Sequence, residues 1–160
     1  MYLQFTVSGG SEPEVFIVYR VLTYKSEGLI FTHANAISMV GSYSFGTYQQ
    51  GQADRIGMAA SRGGSFDGAD APYDSWHLAN VYFGKNDGFV NIDDGASVTT
   101  FATSGQYTAD ALTNVQIGGA VFGGHDVPNL IGEVLIFDEK LSDENRAFVT
   151  TALMSKWDLL

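Results

Sequence analysis

The sequence predicts an all-β fold, a two-sheet antiparallel sandwich with one C-terminal α-helix, and three observations carry that prediction. Turn signals recur roughly every ten residues, from Gly9-Gly10 and Ser26-Glu27-Gly28 through Asn86-Asp87-Gly88 and Asp93-Asp94-Gly95 to Gly123-Gly124. Between them lie short runs rich in Val, Ile, Phe, Tyr and Thr, residues that suit a pleated, half-buried surface. One segment alone, after Leu141, has helical spacing and helical end signals. A length of 160 residues makes a single domain over 1–160, and 45% apolar residues supply its core. With 19 glycines spread along the chain and only 3 prolines, glycine here is turn punctuation and not a linker.

Taken in order, Met1–Phe5 already alternates like a strand and leaves no room for a signal peptide. Glu12-Pro13-Glu14, flanked by Gly10 and Ser11, reads as an exposed loop. Strands follow at Val15–Leu22, Leu29–Thr32, Ala36–Val40, Ile56–Ala60, Trp76–Phe83, Phe89–Asp93, Ser97–Thr103, Val115–Ile117 and Ile131–Phe137. Three of them carry period-2 information. Val90 and Ile92 oppose Asn91 and Asp93; Ala79, Val81 and Phe83 oppose Trp76, Leu78, Asn80 and Tyr82; Val134 and Ile136 oppose Ile131, Glu133, Leu135 and Phe137. Trp76–Val98 reads as a β-meander, since Asn-Asp-Gly and Asp-Asp-Gly suit tight hairpins. Ser142 is a good N-cap, Asp143 and Glu144 suit the positive helix end and Lys156 the negative one, so a helix is predicted over Asp143–Lys156. Phe148, Ala152, Leu153 and Trp157 mark its expected inward side.

The charge pattern excludes partners. With 18 acidic and 8 basic residues the net charge is −10, so no nucleic-acid footprint exists and anionic membranes would repel the chain. No apolar run approaches the ~20 residues of a membrane-inserting span. The absence of cysteine removes disulfides, thiolate metal sites and a Cys nucleophile together. Without an Asn-x-Ser/Thr acceptor as well, the sequence leans towards a bacterial or phage source. Gly-x-Ser-x-Gly, His-Glu-x-x-His and phosphate-loop motifs are missing, and His33, His77 and His125 stand far apart. No strand carries two acids two residues apart on one face, the placement a glycosidase pair would use.

Two groups of residues remain as site candidates. Gly63–Asp74 reads as a long loop with three carboxylates, and Asp67, Asp70 and Asp74 are the candidate ligands for Ca²⁺, which favours Asp and loop carbonyl oxygens. The plain alternative is a solvated loop in which Asp caps turns. Tyr43, Tyr48, Tyr73 and Tyr107 fall in or near loops rich in Ser, Thr, Gln and Gly, and Gln50 lies beside Tyr48. Aromatic faces flanked by amides are what a sugar ring stacks on and bonds to. Trp76 and Trp157 read as core residues instead.

The C-terminal half resembles a known family. Ser75-Trp76-His77-Leu78-Ala79 resembles the Trp-His strand of laminin-G-like, concanavalin A-like jelly-roll domains, and Phe89-Val90-Asn91-Ile92-Asp93-Asp94-Gly95 their next strand with its Asp-Gly hairpin. Ile117-Gly118-Gly119 and Leu130–Phe137 are similar to their Ile-Gly-Gly turn and a later core strand, and Leu141–Arg146, ending in Lys156-Trp157, to their closing helix. The likeness is good over Trp76–Leu160, extends to Val15–Thr32 and is thin over Tyr43–Asp74. It implies a two-sheet jelly roll, usually a binding module for glycans or proteins, sometimes with calcium at one edge. Hydrolases of that fold use a Glu-x-Asp-x-Glu-like strand, and none occurs here. Relatives begin with one or two further strands where Met1–Val7 supplies one, so a trimmed fold or a longer polypeptide is expected.

The sequence therefore points to a non-enzymatic recognition module for glycan or a surface protein, placed outside a cell, on its surface or on a virion. The alternatives are a structural or attachment subunit of a virion or appendage, docking on neighbouring copies, and a glycoside hydrolase with an unrecognised carboxylate pair.

Overall fold

The computed structural model describes residues 3–6, 12–23, 28–35, 38–47, 55–60, 67–70, 72–84, 87–94, 97–102, 114–118 and 128–159. Among the described residues, eleven strands and one helix run in the order β1 (Leu3–Thr6), β2 (Glu14–Val21), β3 (Gly28–Asn35), β4 (Ser38–Thr47), β5 (Arg55–Ala60), β6 (Asp67–Asp70), β7 (His77–Phe83), β8 (Asp87–Ile92), β9 (Ser97–Ala102), β10 (Asn114–Ile117), β11 (Asn129–Phe137) and α1 (Asp143–Lys156). They form a six-stranded sheet, β1-β10-β3-β4-β5-β6, and a five-stranded sheet, β11-β2-β7-β8-β9. Every pairing is antiparallel.

Alternation along β2 explains the layering. Val15, Ile17, Tyr19 and Val21 point between the sheets, with Ala79, Val81, Phe83, Val90 and Ile92 beside them and Ile30, Phe31 and Ile117 opposite. Phe31 stacks on Phe83 across this layer at 5.7 Å between ring centroids. Phe16 and Val18 point the other way and, with Leu78, meet Leu153 and Met154 of α1. The five-stranded sheet is thus dry on both faces at β2, which is why that strand reads as a continuous apolar run. Each such side chain taken fully from water contributes about 1.5–3 kcal/mol.

Most elements lie where expected, and the differences have physical reasons. Val134 and Ile136 face the inter-sheet core and Leu135 and Phe137 face the helix, but Ile131 joins Val134 and Ile136. The cause is a break in register between Ile131 and Glu133, a bulge at Gly132 that turns the preceding residues over. Glycine lets the Trp157 ring lie close there: a Cβ would sit 2.5 Å from its Cη2, so the ring would have to move. Asp67–Asp70, expected as loop, is strand β6, because pairing of Ile56, Gly57 and neighbours with this segment overrides its poor strand propensity. Similarly, β4 runs through Gly41 to Thr47, since Tyr43, Ser44 and Phe45 are paired on both sides.

Helix α1 has the predicted bounds, and the Ser142 side chain accepts from the Asn145 N–H at 3.2 Å. Its inward side differs from the expectation. Thr150, Leu153 and Met154 are buried and Val149 and Trp157 pack beside them, whereas Phe148 is 76% exposed and Ala152 is also exposed. Phe148 lies on the wrong side because Arg146 must face inward. Its target is Glu14, expected in an exposed loop and in fact 0% exposed at the start of β2. Arg146 donates to it from Nε at 2.7 Å and from a terminal nitrogen at 3.0 Å, the Leu141 N–H at 2.8 Å and the Asn80 amide at 2.9 Å. Four donors around one buried carboxylate fix where the helix begins.

Candidate functional site

The densest polar constellation described lies at one edge of the sandwich, where β2 ends, β7 begins and the β8–β9 hairpin turns. Three residues with positive φ meet there: Asp74 (62°), Asp93 (49°) and Asp94 (53°). Asp tolerates this left-handed region because its short side chain bonds locally. Asp93 does so across strands: its Oδ1 accepts from the Leu78 N–H at 3.0 Å while its own N–H donates to the Leu78 carbonyl at 3.0 Å. Its other oxygen lies 2.6 Å from Nδ1 of His77.

His77 is the hub. Its Nε2 lies 2.9 Å from the Pro72 carbonyl and 2.8 Å from Oγ of Ser75, and that hydroxyl also donates to the Pro72 carbonyl at 3.1 Å. Only the protonated ring satisfies a carboxylate on one nitrogen and a carbonyl on the other, since each then donates. Burial, the largest single influence, works against this charge, but the Asp93 hydrogen bond and charge, with the Pro72 carbonyl, outweigh it and hold the pKa above its ordinary 6.5. Tyr19 lies over the ring at 5.9 Å between centroids, and burial, then the Asp93 charge, pushes its phenol well above the usual range.

Ser75, His77 and Asp93 thus stand at the separations of a nucleophile triad, yet the arrangement supports a different role. A triad base must accept the serine proton. Here the Pro72 carbonyl, an acceptor only, lies 2.9 Å from Nε2 and 3.1 Å from the Ser75 hydroxyl, so it competes for a proton from each and draws Nε2 away from the accepting role. The constellation is a clamp on the turn Pro72–Ser75. Arg20 reinforces it through Asp74 Oδ1, at 3.1 Å from Nε and 2.6 Å from a terminal nitrogen, and the Asp74 N–H donates to the Val21 carbonyl at 2.8 Å.

Of the residues nominated from sequence, the clamp carries two. Tyr73 is half-buried and packs against the inter-sheet core, and Asp74 is exposed and bonded to Arg20. Asp67 and Asp70 open and close β6, opposite Met58 and Arg55. Tyr43 sits within β4, between His33 and Ala60, in mid-sheet and not beside a loop. Tyr48, Gln50 and Tyr107 lie outside the described residues. Among the described residues no group of three or more His, Asp or Glu is placed to hold a metal. The buried and half-buried carboxylates described all have partners: Glu12 accepts from the Tyr82 hydroxyl, Glu14 from Arg146, Asp93 from His77, and Glu133 from Lys156 and the Trp157 indole. Those two donors hold the Glu133 pKa below the ordinary carboxylate range. Spacing could not reveal the clamp, because His77 and Asp93 are 16 residues apart; the Trp-His and Asp-Asp-Gly motifs mark the strand and the hairpin that carry them but do not join the two.

Solved structures decide what the architecture is. A native heptameric SAP-like pentraxin from Limulus polyphemus is similar at 14% identity, with 93% of this chain and 75% of that one covered at a TM-score of 0.69. Domain 4 of AbnA, a GH43 extracellular arabinanase from Geobacillus stearothermophilus in complex with arabinotriose, is 12% identical over 91% of this chain and 71% of that one, at 0.65. The LG4-5 domains of mouse laminin alpha1 chain are 17% identical over 89% of this chain and 40% of that one, at 0.58. The chain has the two-sheet antiparallel jelly-roll fold. At these identities the likeness speaks for the fold alone. No family model matches the sequence, and no curated protein matches it. The clamp therefore stands at an edge of this jelly roll, where two strand ends and a hairpin tip meet.

Proposed function

We propose that this jelly roll is a non-enzymatic recognition module that binds glycan or another surface polymer through loops at one edge, outside a cell or on a virion. The observation that supports it best is the commitment of both His77 ring nitrogens, which makes the best-placed acid–base group a support for a turn and not a catalyst. Sugar recognition asks for rigid edges carrying rings and amides, and Tyr73 rides on that turn. Tyr48, Gln50 and Tyr107 are the other proposed contacts. The solved likeness that holds arabinotriose makes arabino-oligosaccharides the first probes. Wild-type protein is expected to bind on a glycan panel and to lose roughly tenfold or more on Tyr48→Ala or Tyr107→Ala with unchanged melting. Full binding by both variants would remove those residues from the site.

Calcium at Asp67, Asp70 and Asp74 is proposed from the sequence alone, and since the three do not form a ligand group by themselves, a cation there would draw further oxygens from loop carbonyls. A cation bound only by the folded chain must raise the melting temperature, and titration with CaCl₂ tests this directly. No described helix is long and apolar enough to cross a membrane.

A further inference from the structure

The clamp makes more bonds than a neutral histidine has protons for. His77 is 6% exposed, with the Asp93 carboxylate 2.6 Å from Nδ1 and the Pro72 carbonyl 2.9 Å from Nε2. Both partners only accept, so both nitrogens must carry a proton. A neutral imidazole has one N–H for these two places, and one partner must be given up. Asp93 is the one that stays. Its bond is charge-assisted and the stronger, and its other oxygen is pinned by the Leu78 N–H at 3.0 Å. The bare nitrogen then faces Pro72, lone pair against lone pair. The Ser75 hydroxyl reaches the Pro72 carbonyl at 3.1 Å and lies 2.8 Å from Nε2, so it is placed to turn from the first to the second. Pro72 thereby loses both donors in one step. It is exposed, and water takes their place at its carbonyl.

We propose that the cluster is a proton-operated latch: the charged ring fastens the peptide unit between Pro72 and Tyr73, and loss of the proton frees that unit to rotate. The Pro72 carbonyl and the Tyr73 N–H are two ends of one rigid plane, so moving the first re-aims the second. The residue that follows is held without the ring. Asp74 is tied to Arg20 at 2.6 Å and through its N–H to the Val21 carbonyl at 2.8 Å. The change is therefore confined to Pro72 and Tyr73. Other groups near the ring do not share its proton. Tyr19 of β2 lies over it with a phenol pushed well above the usual range, and stays neutral. Arg20 and Asp74 pair with each other, and Asp94, beside Asp93 on the hairpin, is exposed. Burial opposes the charge on His77, but the Asp93 bond and charge, with the Pro72 carbonyl, outweigh it and hold the pKa above 6.5. The latch is thus shut at and below that pH and opens as pH climbs through the folded value. One consequence rests on the recognition reading of this edge. The turn that carries Tyr73 keeps a single shape only while it is fastened, so a glycan binds more tightly to the shut state.

Proton–nitrogen NMR spectra of the wild-type chain, from about pH 5.5 to about 9, test the latch. Long-range ring signals, identified by their loss in His77→Gln, report the charge on His77. The Tyr73 N–H is expected to shift in one step at the midpoint of that ring titration, and the step is expected to vanish in His77→Gln. Asp93→Asn removes the charge beside the ring, and is expected to move the ring and amide midpoints together to lower pH. A Tyr73 amide that stays still while the ring titrates, a step that survives His77→Gln, or a ring that keeps one charge state over the whole range would each overturn the proposal. Arabinotriose titrated by calorimetry on either side of the step reads the consequence. Binding is expected to be about fivefold or more weaker above it, and equal affinity on both sides would sever the latch from binding. Absence of binding at both pH values is the failure of the recognition reading, and the Tyr73 step still decides the latch.

Discussion

Removing the Arg146 guanidinium, as in Arg146→Leu, leaves the Glu14 carboxylate fully buried with only two neutral donors, the Leu141 N–H and the Asn80 amide. Stripping one partner from a buried pair costs about 3–5 kcal/mol, more than the pair itself contributes. Urea denaturation of Arg146→Leu is expected to show a loss of that size, and the further change Glu14→Gln is expected to recover part of it. His77 makes a prediction about pH. Its pKa is raised on folding, so its contribution to stability is complete below about 6.5, the unfolded value, and is lost as pH climbs through the folded value. The stability gap between wild type and His77→Gln, measured by denaturation from pH 5.5 to 9, is expected to be widest at the acid end and to shrink with rising pH. A gap that grows with pH would contradict the clamp.

At the scale of elements, two junctions hold α1 in place. The Ser142 cap satisfies a helix N–H, and Ser142→Ala is expected to lower stability by about 1 kcal/mol in thermal or urea unfolding. At the far end Trp157 lies over the Gly132 bulge, tilts against Trp76 at 5.4 Å between centroids and bonds Glu133 at 2.9 Å. Gly132→Ala must displace that ring and is expected to cost about 1–3 kcal/mol, with a shift in tryptophan emission. The helix ends were readable because capping is local chemistry, carried by Ser142, Asp143, Glu144 and Lys156. Its inward face was not, because rotation about the helix axis is set by a residue 132 positions away, Glu14. The same holds for the strands. Period-2 patterns gave the faces of β7 and β8, but the turnover of Ile131 follows from a bulge that only the mate strand and Trp157 explain. Asp67–Asp70 carries no strand signal of its own and is recruited by β5.

At the scale of the whole molecule, the described residues form two antiparallel sheets with a helix plated on the outside of one, and scaffold motifs make that legible in the sequence. Function was less visible, for a physical reason. In a jelly roll the core is built from alternation, which sequence displays, while an edge site is assembled from loop tips that are remote along the chain. Ser75, His77 and Asp93 carry no linear signature as a set, and their meaning comes from the Pro72 carbonyl that occupies the ring. One titration separates recognition without turnover from catalysis. Arabinotriose and longer arabino-oligosaccharides are titrated into the protein by calorimetry, and the same samples are assayed for new reducing ends. Saturable heat with no reducing ends is the predicted result; release of reducing ends, or no heat with any oligosaccharide of a broad glycan panel, would contradict it.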